Sequence, residues 1–130
     1  MHHEVAITFN QQLIHEAIDA ADDREVDELD FGVIGFNAAT LVTRYNAIES
    51  CMAGLTPERV LGHKLFAVVA PCMNNYMVAL RFEDAAATQS ALDVTIDYVF
   101  TLRMRPSKVL LRLLFAPDRA TRYVLVNRRS

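Results

Sequence analysis

The clearest pattern in this 130-residue chain is an alternation of apolar and polar positions over residues 92–104. Successive side chains of a β-strand point to opposite faces, so an alternation of this length predicts a long strand with one apolar face. That face carries Leu92, Val94, Ile96, Tyr98, Phe100, Leu102 and Met104.

Apolar runs bounded by turn residues predict four more strands. Two of them form an early hairpin at residues 31–36 and 41–45, and two follow the alternating strand at residues 109–115 and 123–126. Short links make successive strands antiparallel neighbours, and the long segment after the hairpin must cross one face of the sheet. The strand order therefore predicts a five-stranded antiparallel sheet.

The N-terminal segment predicts a helix that ends near Ala20. Phe9 and Ile14 are spaced as a hydrophobic staple, and Asn10 between them is predicted to cap the helix. Beyond Ala20 the helical pattern fades into an acidic stretch.

Further helical segments are predicted between the hairpin and the alternating strand. One spans residues 47–51, and the next begins at Pro57 with Thr56 as its cap. A longer helix, capped by Asn74 or Asn75, carries apolar residues at helical spacing. Together with the strands, these segments predict an α+β domain with short helices over one face of the sheet.

Length and composition predict a single folded domain. The chain can bury one core but is too short for two, and 52% hydrophobic with 22% charged residues is typical of globular proteins. No run approaches the roughly 18 apolar residues of a membrane span, and no signal peptide is recognisable. We therefore predict a cytoplasmic protein without a membrane partner, in which Cys51 and Cys72 are free thiols.

The charges are distributed unevenly along the chain. Residues 1–50 hold ten acidic and two basic side chains, whereas residues 101–130 hold one acidic and eight basic side chains. A basic end occurs in nucleic-acid-binding proteins, but the net charge is −3 and no aromatic-rich basic motif is present. We predict no nucleic-acid partner. The acidic N-terminal segment is instead predicted to dock against the basic final strands, at Arg103, Arg105, Lys108 and Arg112.

Candidate chemistry centres on residues 68–75, VVAPCMNN, where Cys72 follows a rigid Ala-Pro pair. A buried structural thiol, a catalytic thiolate and a cofactor attachment point all fit this position. Lone buried cysteines are most often small hydrophobic residues. A thiol enzyme using Cys72 and His63 is disfavoured, because no orienting acid or oxyanion motif accompanies them.

The order of elements resembles that of PAS domains, and the residues resemble the photoactive yellow protein family over nearly the whole chain. Tyr45, Glu49 and Cys72 carry the resemblance, with 27 positions from Tyr45 to Cys72. Other matching residues are the N-terminal segment ending in Asp22-Asp23, LDFGVI at 29–34, Asn46-Ala47, Gly54, Pro57, Val60-x-Gly62, Phe66, Val69-Ala70-Pro71, Met104-x-Pro106-Ser107-Lys108-Val109 and Val124-x-Val126-x-Arg128. The resemblance implies a PAS fold with an N-terminal helical cap at residues 1–28 and a core at residues 29–130.

The resemblance also implies a cofactor and a function. In that family p-coumaric acid is bound as a thioester on the cysteine, here Cys72, and Tyr45 and a protonated Glu49 hydrogen-bond its phenolate. The implied pocket lining is Ala53, Leu55, Phe66, Ala70, Pro71, Phe100 and Met104. The implied function is that of a blue-light receptor without enzymatic activity, signalling by isomerisation and proton transfer. We expect a monomer or weak dimer that acts on an unidentified downstream signalling protein.

The sequence departs from the family pattern at three positions. Ala53 stands where the family has threonine, Leu55 where it has arginine and Leu102 where it has tyrosine. These changes remove polar groups around the pocket but leave Cys72, Tyr45 and Glu49 in place. An alternative prediction is therefore a chromophore-free PAS module that binds another small molecule or a partner protein.

Overall fold

The computed structural model describes residues 6–100 and 106–128. Within these residues the α-helices are Ile14–Ala20 (α1), Asp23–Asp27 (α2), Ala47–Ala53 (α3), Pro57–Val60 (α4) and Ala79–Thr88 (α5). The strands are Gly32–Phe36 (β1), Val42–Tyr45 (β2), Leu92–Phe100 (β3), Ser107–Phe115 (β4) and Arg122–Asn127 (β5). A π-helical turn, Leu65–Val69, and a 3₁₀ turn, Pro71–Met73, precede α5.

The strands form one antiparallel sheet in the order β2-β1-β5-β4-β3, which confirms the predicted five-stranded sheet. β2 and β3 lie at opposite edges because the helical segment between them crosses the sheet. Ile34 pairs with Tyr45 in the hairpin, and Val126 of β5 pairs with Gly32 of β1. Leu102 and Met104, at the end of the predicted alternating strand, lie outside the described residues.

Apolar side chains cover both faces of the sheet. On one face, alternate residues of all five strands pack with α4, α5 and the turns that precede α5. On the other face, Val33, Leu114, Tyr123 and Leu125 pack against α1, α2 and the segment before α1. We call residues 6–28 the cap. The central strands β4 and β5 are therefore buried on both sides, whereas the edge strand β3 alternates between buried or half-buried and exposed positions.

The start of the first helix differs from the prediction. The helix begins at Ile14, and Leu13 at its N-cap has a left-handed φ of 57° and no side-chain capping bond. Asn10 therefore does not cap the helix, because Phe9 is drawn into the core, where its ring meets Phe31 edge-on at 5.6 Å. The predicted end of the helix at Ala20 is confirmed.

The acidic stretch after α1 forms a second short helix, α2, which the sequence analysis missed. Its start is a capping box: the Asp22 side chain accepts from the backbone N–H of Glu25, and the Glu25 side chain accepts from the backbone N–H of Asp22. An acidic residue followed three positions later by glutamate is a recognisable helix start.

Two residues predicted to cap helices between β2 and β3 do not form the expected capping bonds. Thr56 occupies the N-cap of α4 but its side chain makes no capping bond, while Pro57 lies in the first turn as predicted. The longer helix begins at Ala79 rather than beside Asn75. Asn75 instead holds the preceding turn, where its Oδ1 accepts from the backbone N–H groups of Met77 and Val78.

The cap docks on the sheet through arginines, in partial agreement with the predicted surface. Arg112 donates to the backbone carbonyls of Phe9 and Gln11 at 2.9 and 2.8 Å, while its carboxylate partner is Asp93 of β3. Lys108 is exposed, and Arg103 and Arg105 lie outside the described residues. The surface named from the sequence therefore contributes Arg112, bound to cap carbonyls rather than cap carboxylates.

Arg44 and Arg119, which were not predicted, bind the cap carboxylates. Arg119 pairs with Asp19 at 2.8 Å and Arg44 with Asp23 at 3.1 Å. Arg44 also donates to the carbonyls of Ile18 and Ala21 and to the Tyr123 hydroxyl. The buried side chain of the next residue, Tyr45, packs on the opposite face of the sheet.

Candidate functional site

A small cavity under the helical face of the sheet brings Tyr45, Glu49 and Cys72 together. Its volume is about 20 Å³. The lining residues are Ile34, Tyr45, Glu49, Ala53, Leu55, Val69, Ala70, Cys72, Met73, Phe100 and Arg128. The residues named from the sequence as attachment point and hydrogen-bond donors thus share one cavity.

Four of the seven predicted lining residues border this cavity: Ala53, Leu55, Ala70 and Phe100. Phe66 does not, because its ring packs in the core on Phe36 and Phe82. Pro71 does not line the cavity either and is exposed. Met104 lies outside the described residues.

Four further residues line the cavity and were not predicted to do so: Ile34, Val69, Met73 and Arg128. The position of Ile34 could have been predicted from the sequence, because the predicted hairpin places β1 directly beside Tyr45. Arg128 had no local signal, since it reaches the cavity only through the pairing of β5 with β1.

Glu49 lies in the first turn of α3, where its backbone N–H is capped by the Asn46 side chain. It is 3% exposed, and Arg128 donates to both of its carboxyl oxygens, at 2.7 and 3.0 Å. This two-pronged arrangement is that of an ionised carboxylate with a guanidinium. Gly32 makes room for it, because a Cβ at that position would overlap Glu49 Oε1.

Tyr45 ends β2 and is 8% exposed. Its hydroxyl donates to the backbone carbonyl of Glu49 over a long 3.5 Å. Burial and then the Glu49 charge raise the pKa of Tyr45 well above its ordinary value, and Arg128 offsets part of the rise. The phenol therefore keeps its proton at neutral pH and remains a hydrogen-bond donor.

The turn that carries Cys72 is held by the side chains of Tyr98 and Asn75, for which the sequence predicted other roles, a core position and a helix cap. The Tyr98 hydroxyl donates to the Cys72 carbonyl at 2.6 Å, and Asn75 Nδ2 donates to the same carbonyl at 3.0 Å. Asn75 also donates to the Tyr98 hydroxyl at 2.6 Å. These bonds fix the backbone from which the thiol projects.

The surroundings of Cys72 do not lower the pKa of its thiol. Burial raises its pKa, and a hydrogen bond from its own backbone N–H offsets part of the rise. A catalytic cysteine needs the opposite shift, since the thiolate is the attacking form. His63, the base considered from the sequence, is exposed and does not line the cavity.

Known proteins similar to this chain identify its family. No family model matches the chain. It is 33% identical over 103 residues to the photoactive yellow protein of Rhodothalassium salexigens, which covers 79% of this chain and 82% of that protein. The chain belongs to the photoactive yellow protein family. Photoactive yellow protein of Halochromatium salexigens is 32% identical over the same shares of both chains.

Solved structures agree with this membership. The photoactive yellow protein domain of the sensor histidine kinase Ppr from Rhodospirillum centenum is 34% identical and has a TM-score of 0.78, covering 86% of this chain and 97% of that domain. The RpfR quorum-sensing receptor PAS domain of Cronobacter turicensis, in complex with BDSF, has a TM-score of 0.60 at 15% identity and shares the fold. The predicted PAS fold is confirmed.

Membership of the photoactive yellow protein family places the chain in a photoreceptor family, and the cavity is the candidate site for a chromophore. The chemistry of the cavity fits such a group, because one thiol, one phenol and one carboxyl line an otherwise mainly apolar surface. The volume is smaller than an aromatic ring needs, since about 20 Å³ holds about one water molecule. A cofactor would therefore require lining side chains to move.

The part of the chain that the structure describes has no helix with the length and apolar character needed to cross a membrane.

Proposed function

We propose that this protein is a blue-light receptor that carries p-coumaric acid as a thioester on Cys72. The observation that carries the proposal is the shared cavity of Cys72, Tyr45 and Glu49 in a chain of this family. When bound, the cofactor would supply light absorption and a double bond that isomerises. Cys72 would attach the cofactor, and Tyr45 and Glu49 would hydrogen-bond it.

Cys72 would provide the attachment sulfur. Pro71 restricts the backbone just before it, and the bonds from Tyr98 and Asn75 to its carbonyl hold the backbone just after it. Its own N–H already lies within hydrogen-bonding reach of the sulfur. That N–H is the group proposed to hold the thioester carbonyl.

Tyr45 and Glu49 would hold the phenolate end. A buried anion is costly unless strong donors meet it, and hydrogen bonds to charged groups contribute about 1.5–3 kcal/mol each. Tyr45 keeps its proton because of its raised pKa. Glu49 would carry a proton on a carboxyl oxygen in darkness and donate it to the phenolate oxygen after illumination.

Loss of that proton would leave a buried carboxylate on Glu49. With Arg128 displaced from Glu49, that charge would have no partner, and a buried unpaired charge costs several kcal/mol, enough to bias an element with two arrangements. The N-terminal cap, held on the far side of the sheet by polar contacts, is the element proposed to respond and to signal to a downstream protein. We propose no enzymatic activity, consistent with the raised pKa of Cys72.

The small cavity favours a second candidate function, a chromophore-free PAS module. Its volume of about 20 Å³ and the ion pair of Glu49 with Arg128 describe a site that is closed without a cofactor. Ala53 and Leu55 in the lining supply apolar surface where the family has threonine and arginine. Reconstitution separates the two functions.

Cys72→Ser is expected to abolish covalent loading with activated p-coumarate, because the attachment sulfur is lost. Mass spectrometry of the reconstituted protein measures the coumaroyl increment. Cys51→Ser is the matched control and should load fully, since Cys51 is exposed on α3 and does not line the cavity. A coumaroyl increment that persists in Cys72→Ser would refute the assignment, and none in the wild type would favour the chromophore-free module.

Glu49→Gln is expected to move the absorption band of the reconstituted protein to longer wavelength. The amide remains a donor but a weaker one, so it stabilises the phenolate less, and it cannot become a carboxylate in the light. The measurements are absorption spectra and light-dependent amide exchange. Glu58→Gln, an exposed change of the same kind on α4, should match the wild type. An unchanged spectrum and light response in Glu49→Gln would remove Glu49 from this role.

A further inference from the structure

Arg128 reaches the cavity from the end of β5 and lies between a carboxylate and an aromatic ring. Its guanidinium binds both oxygens of Glu49, and its central carbon is 5.5 Å from the centre of the Phe100 ring. The Arg128 side chain is 17% exposed and the Glu49 side chain 4%. A planar cation thus fills part of the space that Glu49, Phe100 and Cys72 border.

This ion pair and the proposed cofactor compete for the same partner. Glu49 cannot donate a proton to a phenolate while both of its oxygens accept from Arg128. The remaining space, about 20 Å³, has room for about one water molecule rather than for a ring. Loading therefore requires the guanidinium to leave Glu49.

Arg128 is also the lining residue best placed to leave. It follows the last residue of β5, so its backbone is outside the sheet ladder, and its long side chain is part-exposed at the cavity edge. Glu49, by contrast, is fixed in the first turn of α3 by the capping bond from Asn46 and is almost fully buried.

We propose that Arg128 is a placeholder that occupies Glu49 in the cofactor-free protein and swings out when a hydroxycinnamoyl group enters, so that it sets the rate of loading. The inference rests on the proposed function. The buried Glu49 in turn favours a 4-hydroxyl on the incoming ring, because a ring without it displaces the cation and leaves Glu49 buried without a polar partner.

The test compares acylation rates in a Cys51→Ser background, where Cys72 is the remaining thiol. Activated p-coumarate should load Arg128→Gln about tenfold faster than the parent. In the parent, entry is slowed by the fraction of molecules in which Arg128 occupies Glu49, and the variant removes that fraction. Arg119→Gln is the matched control, because it removes another arginine–carboxylate pair, with Asp19 at 2.8 Å, outside the cavity. Its rate should stay within about twofold of the parent.

Two further measurements test whether Arg128→Gln speeds loading only because it loosens the structure around Cys72. Iodoacetamide is small and needs no space for a ring, so its reaction with Cys72 should change less than about twofold in Arg128→Gln. Activated cinnamate, which lacks the 4-hydroxyl, should load the parent more slowly than p-coumarate, and Arg128→Gln should not remove that preference for p-coumarate. A tenfold rise with iodoacetamide, or equal rates for both acyl groups in the parent, would overturn the proposal.

The ion pair itself is tested on the cofactor-free protein by urea unfolding of Glu49→Gln, Arg128→Gln and the double variant. The double variant should lose less stability than the two single losses added together. Additive losses would overturn the placeholder. Equal p-coumarate rates in the parent and Arg128→Gln would also overturn it while leaving the proposed function intact. Loading in no variant would refute the proposed function and the inference with it.

Discussion

Replacing Asn46 by alanine is expected to destabilise the protein by about 3–5 kcal/mol, because four buried backbone groups each lose a hydrogen bond. Asn46 is 1% exposed. Its Oδ1 accepts from the N–H groups of Val33 and Glu49, and its Nδ2 donates to the carbonyls of Val26 and Phe31. The side chain thereby joins α2 of the cap, β1 and the first turn of α3.

Urea unfolding of cofactor-free protein measures this loss. Asn37→Ala is the matched control, since its Oδ1 also accepts two backbone N–H groups, those of Ala39 and Leu41, but in a more exposed turn. We expect the control to lose about 1 kcal/mol or less. If Asn46→Ala lost no more than Asn37→Ala, the bridging role of Asn46 would be wrong.

Arg44→Ala is expected to free the cap while the sheet stays folded, at a cost of about 2–3 kcal/mol. The Arg44 side chain is 14% exposed and donates to two carbonyls near the end of α1, to the Tyr123 hydroxyl and to Asp23. Loss of the guanidinium leaves the part-buried carbonyls of Ile18 and Ala21 without this donor. The apolar contacts of Phe9, Ile14 and Ile18 remain and resist complete release.

Amide hydrogen exchange distinguishes local from global effects of Arg44→Ala. Residues 6–28 should exchange faster than in the wild type, and β4 and β5 should keep their protection. Arg24→Ala removes an exposed arginine of the cap itself and should leave exchange unchanged. Uniformly faster exchange across the sheet would show that Arg44 stabilises the whole fold rather than the cap.

The positions of the strands were predictable where one face of the strand is exposed or where turn residues mark its ends. β3 is an edge strand with an open outer face, so its apolar residues alternate and the sequence shows the strand directly. β4 and β5 are buried on both faces and lack that alternation, so only the turns before them revealed their position.

Helix starts were less predictable because tertiary packing overrides local capping. Asn10 is a good capping residue in isolation, but burial of Phe9 beside Phe31 moves the helix start to Ile14. The start of α2, in contrast, was readable from the Asp22 and Glu25 pair and was overlooked.

The candidate site was predictable only as far as its residues are close in sequence or match a family pattern. Cys72, Tyr45 and Glu49 were named from the resemblance and share the cavity. Arg128 matched the family pattern in Val124-x-Val126-x-Arg128 but was given no role in the site, since 79 positions separate it from Glu49 and only the pairing of β5 with β1 brings the two together. No periodic pattern in the sequence indicates an ion pair between residues so far apart.

The position of Arg44 and Tyr45 on β2 has a mechanical consequence. They are consecutive residues of one extended strand, and their side chains stand on opposite sides of the sheet: the Tyr45 hydroxyl by Glu49 and the Arg44 guanidinium among the carbonyls at the end of α1. A shift or twist of the strand at this point moves both side chains at once. At this point a single strand separates the candidate cavity from the docking site of the cap. A displacement can therefore pass from one to the other without a chain of packed side chains.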